Sequence, residues 1–240
     1  MIDVVGLSVH FGGVVSLDDM TIQFPDGACG LIGPNGAGKT TFFNVLSGFV
    51  TPRSGRIEAF GQDLLSMPDF RRARWGLRRT FQTEQAIEKL TVFDNVATVY
   101  EHSGAGDKAG RVPAVEAALE FVGLTDVAHQ TVRTLGAKER RFIEVARAVV
   151  GKPKLVLLDE PAAGLPDAET ALLGEIIRSI PERVGATVIL VDHDMSLVQA
   201  CCDWTAVLDF GRLLASGPTA EVLRDRNVMR AYLGTEEVAS

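Results

Sequence analysis

No apolar run in this chain of 240 residues approaches the ~20 consecutive residues that a helix needs to cross a bilayer. The best candidate, Leu155-Val156-Leu157-Leu158, is closed by Lys154 on one side and Asp159 on the other. The opening Met1-Ile2-Asp3-Val4-Val5 has no basic segment followed by an apolar one, so no secretory signal is expected. Cysteine is scarce. Cys29, Cys201 and Cys202 show no metal-type spacing, an odd number gives no disulfide framework, and adjacent Cys201 and Cys202 are not expected to bridge each other. Cys29 lies in an apolar run and reads as a small buried residue. These features predict a cytosolic chain. Positive charge is also short: the net charge of −7 argues against non-specific nucleic-acid binding, which needs a basic face. No internal repeat, low-complexity tract or interdomain linker is evident.

What is present is an ordinary globular composition, 46% hydrophobic and 23% charged. A chain of this length can bury one large core, or a core with a smaller lobe. Val4-Val5-Gly6-Leu7 and Met20-Thr21-Ile22-Gln23-Phe24 alternate in polarity as short strands, with Pro25-Asp26-Gly27 as a turn. Cys29 to Ile32, Leu155 to Leu158 and Thr187 to Val191 read as buried strands, the first followed by a glycine-rich loop and a helix from Lys39 to about Ser47. Strands alternating with helices, with polar residues at the strands' carboxyl ends, predict an α/β fold with a largely parallel sheet. From about Thr83 to Val150 the pattern changes. Thr91 to Tyr100, Pro113 to Val122 and Lys138 to Val150 have helical spacing without a convincing buried strand, which predicts an inserted helical lobe. The glycines between Ser103 and Arg111 predict a flexible surface loop there.

Gly33-Pro34-Asn35-Gly36-Ala37-Gly38-Lys39-Thr40 fits the G-x-x-x-x-G-K-[ST] pattern. Its glycines let successive N–H groups turn toward phosphate oxygens, Lys39 can neutralise β- and γ-phosphates, and the Thr40 hydroxyl can ligate Mg²⁺. The helix opening at Lys39 adds its positive end. A chance glycine-rich turn would match as well, but this match follows a buried strand and opens a helix. Asp159 and Glu160 end the second apolar strand. Asp159 is placed to hold Mg²⁺ directly or through water, and Glu160 to polarise an attacking water.

The phosphate loop, Thr80-Phe81-Gln82, Leu157-Leu158-Asp159-Glu160-Pro161 and Val191-Asp192-His193-Asp194 stand in the order and spacing of ABC-type ATPases, and essentially the whole chain resembles that family. The resemblance implies an α/β P-loop NTPase (RecA-like) core with a mostly parallel sheet, an N-terminal antiparallel β portion and an inserted α-helical subdomain. One domain would span 1–240, with 1–82 and 151–240 as core and 83–150 as the helical subdomain. ATP and Mg²⁺ are the implied cofactors and ATP hydrolysis the implied reaction. Gln82 resembles the glutamine that senses Mg²⁺ and the attacking water and links to the membrane subunit. His193 resembles the switch histidine that contacts the γ-phosphate, and Phe11 the aromatic that stacks on adenine. Thr41 joins the phosphate-binding set. Individually, these residues would be unremarkable: a surface amide, a capping histidine, a core phenylalanine.

Several segments resemble one branch, the ATPase subunits of branched-chain amino-acid importers: Phe11-Gly12-Gly13, Arg79-Thr80-Phe81-Gln82, Glu160-Pro161-Ala162-Ala163-Gly164-Leu165, His193-Asp194-Met195, Val207 to Arg212 and Ala231-Tyr232-Leu233-Gly234. In that group two different ATPase subunits pair beneath two membrane-spanning permease subunits, and an external solute-binding protein delivers the cargo. The resemblance thus implies a peripheral place on the cytoplasmic face of the cell membrane. It favours a heterodimer over a homodimer and implies branched-chain amino acids or related small polar solutes as cargo.

One motif departs from the family. Where a Leu-Ser-Gly-Gly-Gln signature should contact the nucleotide of a partner subunit, this chain has Leu135-Gly136-Ala137-Lys138-Glu139, in the register fixed by Glu144-Val145-Ala146-Arg147-Ala148. Gly136 lacks the hydroxyl that bonds the γ-phosphate, and Lys138 replaces a glycine whose backbone should approach it. Helix N-terminal amides and the Lys138 charge could substitute in part. Pro166 holds the place of a family aspartate, with Asp167 next. An asymmetric heterodimer with one competent and one weak site follows as a hypothesis; a tolerated variant with normal turnover is the alternative. Two rival functions remain: a regulatory nucleotide-binding subunit with weak hydrolysis, and an ABC ATPase of DNA repair or translation, whose coiled-coil insertions or duplicated domains are not found here. Arg71, Arg72, Arg74, Arg78 and Arg79 read as a solvated basic face, or else as contacts for an acidic segment of the membrane subunit. His10, His102 and His129 lack metal-type spacing, and Trp204 and Tyr232 read as core or interface anchors.

Overall fold

The computed structural model describes residues 1–104 and 109–233. The expected loop between Ser103 and Arg111 lies at 105–108 outside the described residues, as do Gly234 and the Tyr232 side chain. In chain order the elements are β1 (Ile2–Phe11), β2 (Val14–Phe24), β3 (Ala28–Ile32), α1 (Lys39–Ser47), β4 (Ser54–Ala59), β5 (Gln62–Asp63), α2 (Asp69–Trp75) and β6 (Leu77–Arg79). There follow α3 (Val92–His102), α4 (Arg111–Phe121), α5 (Ala137–Val149), β7 (Leu155–Asp159), α6 (Asp167–Val184) and β8 (Thr187–Val191). The chain then forms α7 (Met195–Cys201), β9 (Trp204–Asp209), β10 (Arg212–Pro218), α8 (Thr219–Val222) and α9 (Arg226–Leu233). The fold is α/β, with mostly parallel strands in its mixed sheet and a separate antiparallel sheet. No helix among the described residues is long and apolar enough to cross a membrane.

The chain divides into two compact units, residues 1–72 with 189–240 and residues 73–188. In the first, alternation of apolar and polar residues turns Ile2, Val4, Leu7 and Val9 inward along β1. β1 pairs antiparallel with β2 and β4 in the order β2-β1-β4-β5, the antiparallel portion expected near the N-terminus. A second set of strands in this unit runs β10-β9-β3-β8. β3 is buried along its whole length, as its apolar run predicts, and lies parallel to β9 from Cys29↔Trp204 to Ile32↔Val207. Phe24 stacks on Phe42 of α1 with ring centroids 5.8 Å apart and meets the Trp204 ring edge-on at 5.4 Å. These aromatic contacts seat the phosphate-loop helix on its strands. All three cysteines are free and buried, and burial pushes the Cys29 thiol up to about 12.

In the second unit β6 and β7 are neighbours and run parallel, with Leu77↔Leu155 and Arg79↔Leu157. Between β6 and β7 the described residues form no strand, only the isolated bridge Thr91↔Thr131. Instead α3, α4 and α5 bury Val96, Val115, Leu119, Phe142 and Ile143. The Thr91 hydroxyl caps α3 by accepting the Asp94 N–H at 3.0 Å.

The arginine cluster before Gln82 corrects its reading as a solvated face. Arg71 and Arg74 are exposed, but Arg72 and Arg78 are only 5% and 7% exposed. Each inward guanidinium has backbone carbonyl acceptors. Arg72 donates to the carbonyls of Met67, Val45 and Leu46, and Arg78 to those of Ala73 and Leu77. Burial pulls Arg78 down to about 10, still charged at neutral pH. Arg79 is spent on an internal ion pair with Asp159.

Candidate functional site

In the first unit β3 delivers the chain into the glycine loop, and each glycine answers a different constraint. Gly33 has φ 151, and a Cβ there would stand 2.1 Å from the Leu208 carbonyl oxygen. Gly38 has φ 104, and a Cβ would lie 2.7 Å from both Leu17 Cδ2 and the Ser16 carbonyl oxygen. Gly36 has φ 80 with nothing within 4 Å of a Cβ, so only its backbone conformation asks for glycine. Its surroundings are open where a phosphate would come. The Gly211 N–H donates to the Ala37 carbonyl at 3.0 Å and pins the loop from the turn between β9 and β10.

Lys39 opens α1 and folds back over the loop, its Nζ donating to the carbonyls of Gly33 at 2.6 Å and Pro34 at 3.0 Å. Asn35, Gly36 and Thr40 are exposed, and Thr41 is held by a 2.7 Å hydroxyl contact with Ser16. No acidic side chain sits in the first turn of α1, so the helix's positive end is not offset locally. A curled run of amides, an adjacent ammonium and an uncompensated helix start fit a polyphosphate. Phe11 ends β1 beside the Gly12-Gly13 turn and is 51% exposed, as are Phe49, Phe70 and Phe210 to a greater degree. His193 follows β8 with its side chain 75% exposed and Nδ1 3.8 Å from Oδ1 of buried Asp192. Asp194 caps α7 by accepting the N–H groups of Ser196 and Leu197, which fixes the chain beyond His193.

In the second unit β7 is buried throughout and ends at Asp159, 3% exposed. The Thr80 hydroxyl accepts the Asp159 N–H at 3.0 Å, and Arg79 Nη2 donates to Asp159 Oδ2 at 2.9 Å. Glu160 takes φ 47, a left-handed backbone that an ordinary residue adopts only under constraint. Strain of this kind collects where a side chain must be aimed. Gln82 is exposed just beyond β6, and its carbonyl accepts from Arg141 Nη1 at 3.2 Å. Arg141 lies on α5, whose first turn carries the altered signature, so the Gln82 segment and that helix are joined directly.

The signature residues sit at the start of α5. Gly136 is the N-cap, extended and without a side-chain cap, and Leu135 precedes it. A Glu139 carboxylate oxygen reaches back to 3.0 Å from where a Cβ of residue 136 would stand. Lys138 does not present its charge at the helix start: Nζ lies 5.7 Å from the Phe142 ring centroid, one turn further on. Pro166 is the N-cap of α6 and Asp167 its first residue. Sequence reasoning missed Glu144, which is buried on α5, accepts the Gln85 N–H at 3.1 Å and pairs with Arg147 at 2.9 Å. Burial raises its carboxyl above the usual range, with Arg147 pulling against that. Among the described residues no three His, Cys, Asp or Glu side chains cluster to hold a metal. Within the second unit the buried Asp159 carboxylate has the hard oxygen chemistry that Mg²⁺ prefers.

The ABC transporter family model matches residues 17–163, and the model of the branched-chain amino acid ATP-binding cassette transporter matches residues 212–238. The high-affinity branched-chain amino acid transport ATP-binding protein BraF of Pseudomonas aeruginosa is 34% identical, covering 98% of each chain. LivG of Escherichia coli, described in the same words, is 35% identical with the same coverage. Among solved structures, the ADP conformation of an ATP-binding cassette of an ABC transporter aligns with a TM-score of 0.86 at 24% identity over 98% of each chain. A dimeric cassette bound to ADP and Pi aligns with a TM-score of 0.80 at 20% identity, covering 91% of this chain and 99% of that one. At these identities the two structures bear on the fold alone.

Proposed function

The chain belongs to the ABC transporter ATP-binding family, and we propose that it is the ATP-hydrolysing subunit of an importer of branched-chain amino acids or related small polar solutes. The full-length likeness to BraF and LivG carries this reading. In it the backbone N–H groups of the loop 33–38, of which Pro34 has none, wrap the phosphates, Lys39 neutralises them and Phe11 stacks on adenine. Thr40, Asp159 and Gln82 hold Mg²⁺, which supplies a charge clamp on the β- and γ-phosphate oxygens. Glu160 orients the attacking water, and His193 contacts the γ-phosphate. The helical segment 83–150 acts as the signature-bearing subdomain within a single ATPase domain.

The same reading places the chain at the cytoplasmic face of the membrane, beneath two permease subunits fed by an external solute-binding protein. It pairs there with a second ATPase subunit, a different one in preference to a copy of itself, because the bare N-cap at Gly136 leaves one signature weak. Replacing Lys39 with alanine should weaken ATP binding about 30-fold, roughly 2 kcal/mol for a lost charged contact. Titration with a fluorescent ATP analogue measures this, with circular dichroism as the check on folding. Unchanged affinity would remove the motor reading.

A further inference from the structure

We propose that Arg79 is a positioning residue that presents the Asp159 carboxylate to the divalent cation; the inference rests on the reading of Asp159 as a metal ligand. Arg79 is the last residue of β6, in register with Leu157 on β7. Its Nη2 donates to Asp159 Oδ2 at 2.9 Å, and the two side chains are only 6% and 4% exposed. The next residue holds the same aspartate by its backbone, since the Thr80 hydroxyl accepts the Asp159 N–H while the Thr80 N–H donates to the Leu157 carbonyl at 2.9 Å. Consecutive residues of one strand end thus grip both the main chain and the carboxylate of Asp159.

The guanidinium reaches further. It lies over the Phe81 ring, 4.9 Å from the centroid, and Phe81 precedes Gln82, the other candidate metal-contacting side chain of this unit. One planar cation therefore relates the carboxylate and the segment that carries the glutamine. With Oδ2 engaged by Arg79, rotation of the carboxylate is restrained, and the side chain is held in the place from which it would meet a cation. A lysine would offer charge without the planar guanidinium that lies over Phe81 as it meets the carboxylate. Partners that orient a metal ligand commonly change metal affinity 10- to 100-fold when removed. A pair that served only to neutralise a buried carboxylate would affect folding and leave the cation requirement as it was.

The test titrates Mg²⁺ into the full-length chain with a fluorescent ATP analogue, for wild type, Arg79→Met and Arg79→Lys. Nucleotide affinity in EDTA should stay within about 2-fold of wild type, since the phosphate loop is untouched. The Mg²⁺ concentration at half-maximal effect should rise about 10- to 100-fold in Arg79→Met and by a smaller factor in Arg79→Lys. A half-effect concentration that stays the same or falls would overturn the proposal, because Arg79 would then be a counter-ion or a competitor of the metal. If Arg79→Met does not fold, Arg79→Lys decides by the same comparison, with a rise of at least about 3-fold expected. A wild-type chain whose nucleotide binding ignored Mg²⁺ would instead overturn the metal reading of Asp159, which Asp159→Asn tests separately.

Discussion

Glu144 is a carboxylate kept from water on a helix that carries a candidate functional element, and its energetics depend on pH. It is 6% exposed, and burial raises its pKa while Arg147 and the Gln85 N–H pull the other way. A group whose folded pKa lies above its unfolded value binds its proton more readily in the native state. Its contribution to stability is fully present below the unfolded pKa and is lost as pH rises through the folded one. Glutamine at this position keeps an acceptor for the Gln85 N–H and cannot ionise. Relative to wild type, Glu144→Gln should therefore gain stability as pH rises from about 4, the ordinary carboxyl range, to neutrality. Thermal unfolding of both proteins at the two ends of that range measures the difference. A gain in the opposite direction would mean that Arg147 outweighs burial.

At the scale of elements, α1, the helix proposed to hold phosphate at its start, is finished at its far end by a neighbouring element. It spans nine residues, and its last turn carries no basic side chain. Arg72 of α2 supplies the cation, donating to the Val45 carbonyl and, at 2.8 Å, to that of Leu46. Arg72→Met keeps much of the stem and removes the charged donor from both carbonyls, although that of Val45 still accepts the Gly48 N–H at 3.1 Å. It should cost about 2–3 kcal/mol in urea unfolding, in the range for stranded buried polar groups near a lost charge. A loss below about 0.5 kcal/mol would show that water replaces the guanidinium. This cap was not legible in the sequence, because its acceptors lie on a segment more than twenty positions earlier and no spacing rule connects them. By contrast β3, β7, β8 and α1 were legible nearly to their ends: each is an apolar run closed by a charge or by the glycine loop, or a helix opened by that loop. β4 and β10 were not, since they are largely exposed or alternate evenly and lack a buried run.

For the whole molecule, the residues of the candidate site were legible as motifs, whereas the pairing of Arg79 with Asp159 across eighty positions was not. The one motif that departs from its family also has the largest consequence for assembly. Gly136 caps α5 with no side chain, Lys138 turns away to Phe142, and Glu139 brings a carboxylate close to the cap. A γ-phosphate presented by a partner would meet a site lacking one charge-assisted hydrogen bond. That loss is worth about 2–4 kcal/mol in the transition state, or about 30- to 1000-fold in rate. Beside a partner with a regular signature, the site built on Lys39 and Glu160 would then carry nearly all the turnover. Glu160→Gln should lower the steady-state ATPase rate of the reconstituted pair more than about 100-fold, while the same change at the partner's catalytic glutamate should lower it less than about 2-fold. Equal losses from the two substitutions would mean that both sites turn over together and that the altered signature is merely tolerated.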